Sequence, residues 1–336
     1  MKLTRSYKLR LLRKKWQLRT WRKRKDLSLV KLGDAARDPN GIFVFTTLRN
    51  EHHRLPYFLQ YYRNLGITQF FIVDNNSTDG SAEYLQAQPD VSLWHTKASY
   101  KSAKHGILWM NQLLYKYGSK HWCLNVDCDE FFVYPHVSKR PIRALTDWLD
   151  TRSMRSFPAM LLDMYAKENL KDIKYNAGQN PFEVLKYFDS GNYTQQNGGQ
   201  YGNLWIQGGP RQRKFFANQP RKAPALNKIP LVKWKSSYVY TSSTHSLLPR
   251  SLNLTFDDKG GEKISGCLLH SKFLPDIDDK ISEELQRQEH YGEGQEYKAY
   301  GSQTSQKLNF WTAHSTRFQN WQQLEELGLM SAGGWS

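Results

Sequence analysis

Between residues 41 and 126 the hydrophobic and polar positions fall into blocks with readable periods. Ile42–Leu48 is a short apolar run rich in β-branched and aromatic residues, which predicts a buried strand. Leu55, Phe58, Leu59, Tyr62 and Leu65 then recur at helical spacing, with Pro56 in the first turn and Gly66 as the stop. Residues 70–73 form a second buried strand, broken by the turn formers and helix caps of residues 74–80. A short helix over Ser81–Gln86 and a strand over Val91–His95 come next. Ala103, Ile107, Met110, Leu114 and Tyr117 mark a longer amphipathic helix, and residues 122–126 a further strand. This alternation predicts an α/β fold on a single doubly wound, mostly parallel sheet. Ligands of such sheets bind at the strands' carboxyl ends, so the loops 47–51, 74–79 and 127–130 should converge on one crevice.

Past about residue 150 the pattern thins into a less regular half. Residues 158–165 read as an antiparallel strand, and 231–233, 238–241 and 266–272 as short strands. Residues 278–288 and 316–327 look helical. Residues 172–210 are polar and aperiodic, too long for an ordinary connection and therefore a candidate functional or mobile stretch. The chain divides into a basic arm (1–40), a regular half (41–135), an irregular half (136–275) and a C-terminal helical extension (276–336).

Charge changes the picture at one end only. The net charge is +17, yet residues 1–25 hold twelve Lys/Arg and no acid, so the remaining 36 basic and 31 acidic residues leave +5. A nucleic-acid-binding fold would spread its basicity, so no nucleic-acid partner is expected. Within the arm, Leu3, Tyr7, Leu11, Leu18 and Trp21 share one helical arc, and Leu9, Leu12 and Trp16 a second. A basic helix with Leu and Trp stripes suits an anionic membrane surface, each well-placed cation adding about 1 kcal/mol. The plainer alternative is a solvated or RNA-binding arm. No run of 18 apolar residues occurs, the N-terminus lacks secretory-signal character, and Cys123, Cys128 and Cys267 are too scattered for a disulfide framework or zinc knuckle. The expectation is a cytoplasmic protein, peripheral at the inner face of the membrane.

The sharpest chemical signal is Asp127-Cys128-Asp129 at the end of a hydrophobic strand. Two carboxylates so placed repel, and a Mg²⁺ or Mn²⁺ ion would relieve them and hold a diphosphate. Two acids opening an ordinary turn are the bland alternative. Asp74, directly after a buried strand, could accept from a base or ribose, or simply open an Asx-turn. Arg49, Asn50 and Glu51 could frame a nucleotide or lead into the next helix. Lys101 and Lys104 lie near a helix start, where cations are unfavourable unless they meet phosphates. His270 alternates with buried strand positions and becomes a candidate as a third metal ligand, with His245 close behind. Glu130 is less distinct. Phosphate-loop, zincin and hydrolase-elbow motifs are absent from the sequence.

Asn50-Glu51, the run Asp74-Asn-Asn-Ser-Thr-Asp-Gly80 and Asp127-Cys-Asp-Glu-Phe131, in this order and spacing, resemble the family 2-like glycosyltransferases of the GT-A fold. The likeness covers residues 40–135 well and extends more weakly to 275 through Arg211, Leu231, His245 and His270 with their neighbours. It implies a nucleotide-sugar donor, a UDP-sugar favoured, held by the first-strand loop. It also implies an acid at Asp74 on the base, a metal on Asp127 and Asp129, and Lys101 or Lys104 as the basic helix-start group. A hexosyl or related sugar would pass, with inversion, to a glycan or lipid-linked acceptor, as in surface polysaccharide or glycolipid assembly. The family's usual Glu-Asp pair is missing, and Asp163 stands in as the base, with Asp189 its rival. A nucleic-acid-binding protein and a metal-dependent nucleotidyltransferase are the alternatives.

Overall fold

The computed structural model describes residues 4–197, 199–256, 263–287 and 308–336. In chain order they form α1 (Arg5–Lys23), β1 (Ser28–Lys31), β2 (Ile42–Leu48), α2 (Leu55–Leu65), β3 (Gln69–Asp74), α3 (Ser81–Gln86), β4 (Val91–His95), α4 (Ile107–Tyr117) and β5 (Trp122–Asn125). There follow β6 (Glu130–Val133), α5 (Ile142–Thr151), β7 (Ser156–Asp163), β8 (Tyr187–Asp189), β9 (Thr194–Asn197), β10 (Leu204–Gln207) and α6 (Gly209–Phe215). The last elements are β11 (Asn227–Lys233), β12 (Val239–Ser242), β13 (Ser246–Leu248), β14 (Gly266–His270), α7 (Ile277–Arg287), β15 (Ser315–Arg317) and α8 (Trp321–Glu326).

Nine strands make one mixed sheet in the order β1-β4-β3-β2-β5-β11-β7-β14-β6. Six of them (β2, β3, β4, β5, β7 and β14) run the same way, while β1, β11 and β6 run against them. The period of two along β2 sorts its side chains onto two cores. Ile42 and Val44 join α2 and α5 on one face, while Phe43 and Phe45 join α4 and Trp16 of α1 on the other. Helices therefore cover both faces, and the α/β, doubly wound reading holds.

The structure also redraws some boundaries. Lys104, His105 and Gly106 all have positive φ, so the fourth helix starts at Ile107 rather than at Ala103, although Ala103 is buried. Residues 316–327 divide: Ser315–Arg317 pairs with β8, and Asn320 then caps α8 by accepting from the Gln323 amide. The aperiodic 172–210 region folds into single-turn helices and the small strands β8, β9 and β10. Gln288, the expected end of α7, lies outside the described residues, as do Leu3 and residues 288–307 of the C-terminal extension.

The arm is a helix seated on the fold. Trp16 and Thr20 of α1 are buried, and Leu9 and Leu12 pack against the same core. Arg5 donates to the Gly199 carbonyl (3.0 Å), Gln17 to the Ser237 carbonyl (3.1 Å) and Lys23 to the Ser102 hydroxyl (3.0 Å). Among the described residues no helix is long and apolar enough to cross a membrane.

Candidate active site

Strand register assembles the centre of the site. On β14, His270 lies opposite Glu130 of the antiparallel β6 and opposite Asp163 of the parallel β7. The turn from β5 into β6 is closed by the Glu130 amide donating to the Asp127 carbonyl (3.0 Å), which brings Asp129 to the same spot. His270 Nε2 sits 3.2 Å from Asp129 Oδ2, and its Nδ1 2.7 Å from Asp163 Oδ1. Behind them, Arg211 of α6 donates Nε to the other Asp163 oxygen at 2.7 Å.

Charge is crowded here, and its balance sets the protonation states. Burial alone would raise Asp129, but His270, Arg54 and Lys280 outweigh it and hold this carboxyl well below the usual range. Burial pulls His270 down, yet Asp129 and Asp163 on its two ring nitrogens hold it above its ordinary value. Burial is also the largest influence on Glu130 and lifts it to about 7, with Asp127 and Asp129 adding to the rise and Lys228 opposing it. Lys228 reaches Glu130 directly and lies 3.4 Å from Asp127 Oδ2.

Asp129, Glu130 and His270 offer ligand atoms that all lie within 4.8 Å of one another. Two carboxylates and one imidazole suit a divalent ion such as Mn²⁺ or Mg²⁺. The Asp163 contact on Nδ1 supports the fit, because a ligating histidine typically gives its second ring nitrogen to a carboxylate. Asp127, expected as a ligand, stands outside this trio: its side chain is 56% exposed and leans toward Lys228. Among the described residues the third ligand atom of this group is offered by Glu130, where the sequence reading expected Asp127.

These groups open into a cavity of about 750 Å³ at the carboxyl ends of β2 and β5. Nine Lys/Arg against five Asp/Glu line it, a balance that favours an anionic ligand. Arg49, Glu51, Lys104, Asp127, Asp129 and His270 are all in the lining. Asn50, Asp74, Lys101 and Asp163 are not among the described lining residues. Asp74 is fully buried, accepting from the Ser77 amide (3.2 Å) and meeting His95 Nδ1 (3.0 Å), so its carboxylate closes the turn instead of facing a base. Asp163 is 2% exposed with both oxygens engaged, which is the place of a positioning group and not of a base for an acceptor. Asp189 is likewise held, by Arg213 (2.7 Å) and Tyr165 (2.5 Å).

The first-strand loop has partners that only the folded chain reveals. Glu283 of α7 accepts from Arg49 Nε (2.5 Å) and from the Asn50 side chain through Nδ2 (3.2 Å), and Lys280 reaches Glu51 (2.5 Å). Arg54, 2% exposed, joins Glu51 (2.9 Å) to Asp276 (2.8 Å) beneath them. Sequence reasoning noted Arg211 and the run from Lys228 to Leu231 only as carriers of the resemblance, with no role for either side chain, and missed this α7 contact. A lysine set among Leu226, Ile229, Leu231 and Val232 was the available signal for a role of Lys228, since a buried ammonium must be paired. His245 faces the cavity as well. Its Nδ1 lies 2.6 Å from the Asn227 carbonyl, and burial, with Lys228 nearby, lowers it to about 4.

No family model matches this sequence, and no curated protein matches it. Among solved structures, one described as a glucose-1-phosphate thymidylyltransferase from Bacillus anthracis, in complex with sucrose, covers 85% of this chain and 93% of its own. The identity is 8% and the TM-score 0.27, a superposition too loose to carry any argument about this chain.

Proposed function

We propose that this protein is a GT-A-type glycosyltransferase that moves a sugar from a nucleoside diphosphate to an acceptor hydroxyl. The observation that carries the reading is the Asp129–Glu130–His270 trio set in a cation-rich cavity at the ends of β2 and β5. The motif order and spacing around Asn50, Asp74 and Asp127 supply the family. Asp129, Glu130 and His270 would hold a Mn²⁺ or Mg²⁺ ion, which when bound supplies positive charge against that developing on the leaving diphosphate.

The chain's own residues do the rest. Arg49, Lys104, Lys280 and Arg287 line the cavity and would pair with phosphate oxygens. The bond from the anomeric carbon to the diphosphate oxygen breaks as the acceptor oxygen closes on the same carbon, through an oxocarbenium-like state. The acceptor proton needs a base that can reach it. Of the five lining acids Asp127 is the most exposed, with Asp129 at 20%, Glu51 at 14%, Glu283 at 31% and Glu130 at 2%, so the base role passes to it from Asp163. Asp163 and Arg211 hold the imidazole of His270 in place.

Thermal-shift measurements against nucleotide sugars, with and without Mn²⁺, test the reading, because a ligand that binds only the folded state raises its melting temperature. A metal-dependent shift with one nucleotide sugar, followed by release of a nucleoside diphosphate, is the expected result. Release of pyrophosphate from a nucleoside triphosphate and a sugar phosphate would make the protein a nucleotidyltransferase instead.

A further inference from the structure

Helix α1 has two apolar faces, and the fold uses one. Leu9, Leu12, Trp16 and Thr20 turn inward against α4 and the sheet. At roughly 100° per residue, Tyr7, Leu11, Lys14, Leu18 and Trp21 project from the opposite side within an arc of about 80°. Their apolar members are exposed by 47% (Tyr7), 43% (Leu11), 48% (Leu18) and 55% (Trp21). Leu29 and Val30 of the edge strand β1 follow at 53% and 43%. Six of the eleven exposed large apolar side chains among the described residues thus fall between positions 7 and 30. Arg10, Lys14, Lys15 and Arg22 are exposed on the same outer half of the helix, and no acid occurs before Asp26. Arg24 stacks over the Trp21 ring at 3.7 Å, which keeps the indole at the surface beside a cation.

The geometry points to α1 as a docking surface for an anionic lipid bilayer, lying in the interface with its outer face down. Leu, Trp and Tyr in one narrow stripe, flanked by unopposed cations, match a surface that is apolar just below a layer of negative charge. Nucleic acid would use the cations but leave Leu11, Leu18, Leu29 and Val30 without a role. Trp16, on the inner face of the same helix, lines the cavity, so docking holds the cavity within about one helix diameter, roughly 10 Å, of the lipid. That placement suits an acceptor carried at a membrane; this consequence rests on the transferase reading, whereas the surface itself does not.

Deleting the helix is a poor test because Trp16 and Thr20 belong to the core. Outer-face variants of the full chain are the clean ones. The experiment is co-sedimentation with vesicles of phosphatidylcholine alone and of phosphatidylcholine mixed with phosphatidylglycerol. The wild-type chain should pellet with the anionic vesicles and not with the neutral ones, and high salt should weaken this without abolishing it. Leu18→Glu/Trp21→Glu should reduce the pelleted fraction at least about tenfold with an unchanged melting temperature. Lys14→Glu/Lys15→Glu/Arg22→Glu should do the same. Absence of binding to anionic vesicles at low salt overturns the proposal. So does binding that survives both sets of variants, or a dimer in solution that Leu18→Glu/Trp21→Glu dissociates. Tighter retention on single-stranded RNA than on the vesicles, lost with the charge variant alone, overturns it in favour of a nucleic-acid arm.

Discussion

Two carboxylates, Asp74 and Asp129, stand at or just beyond the carboxyl ends of neighbouring parts of one sheet, yet they face opposite fates. Asp74 ends β3, and its partners are local: the Ser77 amide three residues on and His95 at the end of the adjacent β4. Its charge is spent on closing a turn. Asp129 meets His270 from 141 residues away, and His270 in turn meets Asp163 from 107 away. From β2 to β5 each parallel strand follows the last through one helix, and Asp74 finds its partners within that succession, whereas the Arg49–Glu51 loop takes its partners from α7. Beyond β5 the strands β11, β7, β14 and β6 are neighbours out of sequence order, and their register brings together charges that no short segment could satisfy. Poised charge, in this molecule, belongs to long-range pairing.

That contrast can be broken from the long-range side first. His270→Ala removes a trio member and should lower transfer by at least about 100-fold, with the stabilising response to Mn²⁺ lost, as donor turnover and melting temperature will report. Asp163→Asn keeps the trio but loosens the imidazole. The expected result is a metal requirement raised about 10- to 100-fold, with turnover largely recovered at saturating metal, read from a Mn²⁺ titration of activity. A drop in turnover that no amount of metal restores would return Asp163 to the role of base.

The local side should respond in stability. Asp74→Ala leaves the half-buried Ser77 amide and His95 without their acceptor, so it should cost about 1–3 kcal/mol in denaturant unfolding while changing donor affinity little. A large loss of donor affinity in the folded protein would place Asp74 on the nucleotide after all. His245 gives the smallest effect. Its folded value of about 4 lies below the ordinary 6.5, so the unfolded chain binds more protons between those values and stability falls as pH drops through that window. His245→Gln removes this titration, and the melting temperature of the variant should decline less steeply from pH 6.5 to 4 than that of the wild type.

The same contrast explains what could be read in advance. The strands and helices of residues 42–125 were legible because each buries a face whose period is local: Ile42 and Val44 go one way, Phe43 and Phe45 the other. The two stripes of α1 were legible for the same reason, and the fold buried one of them. Asp129 and His270 were visible as residues, but their meeting depends on the β14 register, which no spacing reveals. Glu130 looked secondary because its importance comes from burial beside Lys228. Arg49, Asn50 and Glu51 showed no sign of their α7 partners, which lie more than 220 residues downstream. The break at Lys104–Gly106 was hidden because two non-glycine residues adopt the left-handed backbone there.

The central claim is that the cation site is Asp129, Glu130 and His270 rather than the Asp127–Asp129 pair. Calorimetric titration of Mn²⁺ into the wild-type chain and into Asp127→Asn, Glu130→Gln and His270→Ala tests it without reference to any substrate. The account predicts one site in the wild type, near-normal affinity in Asp127→Asn, and loss of binding in Glu130→Gln and His270→Ala. Binding abolished by Asp127→Asn and untouched by Glu130→Gln would contradict it.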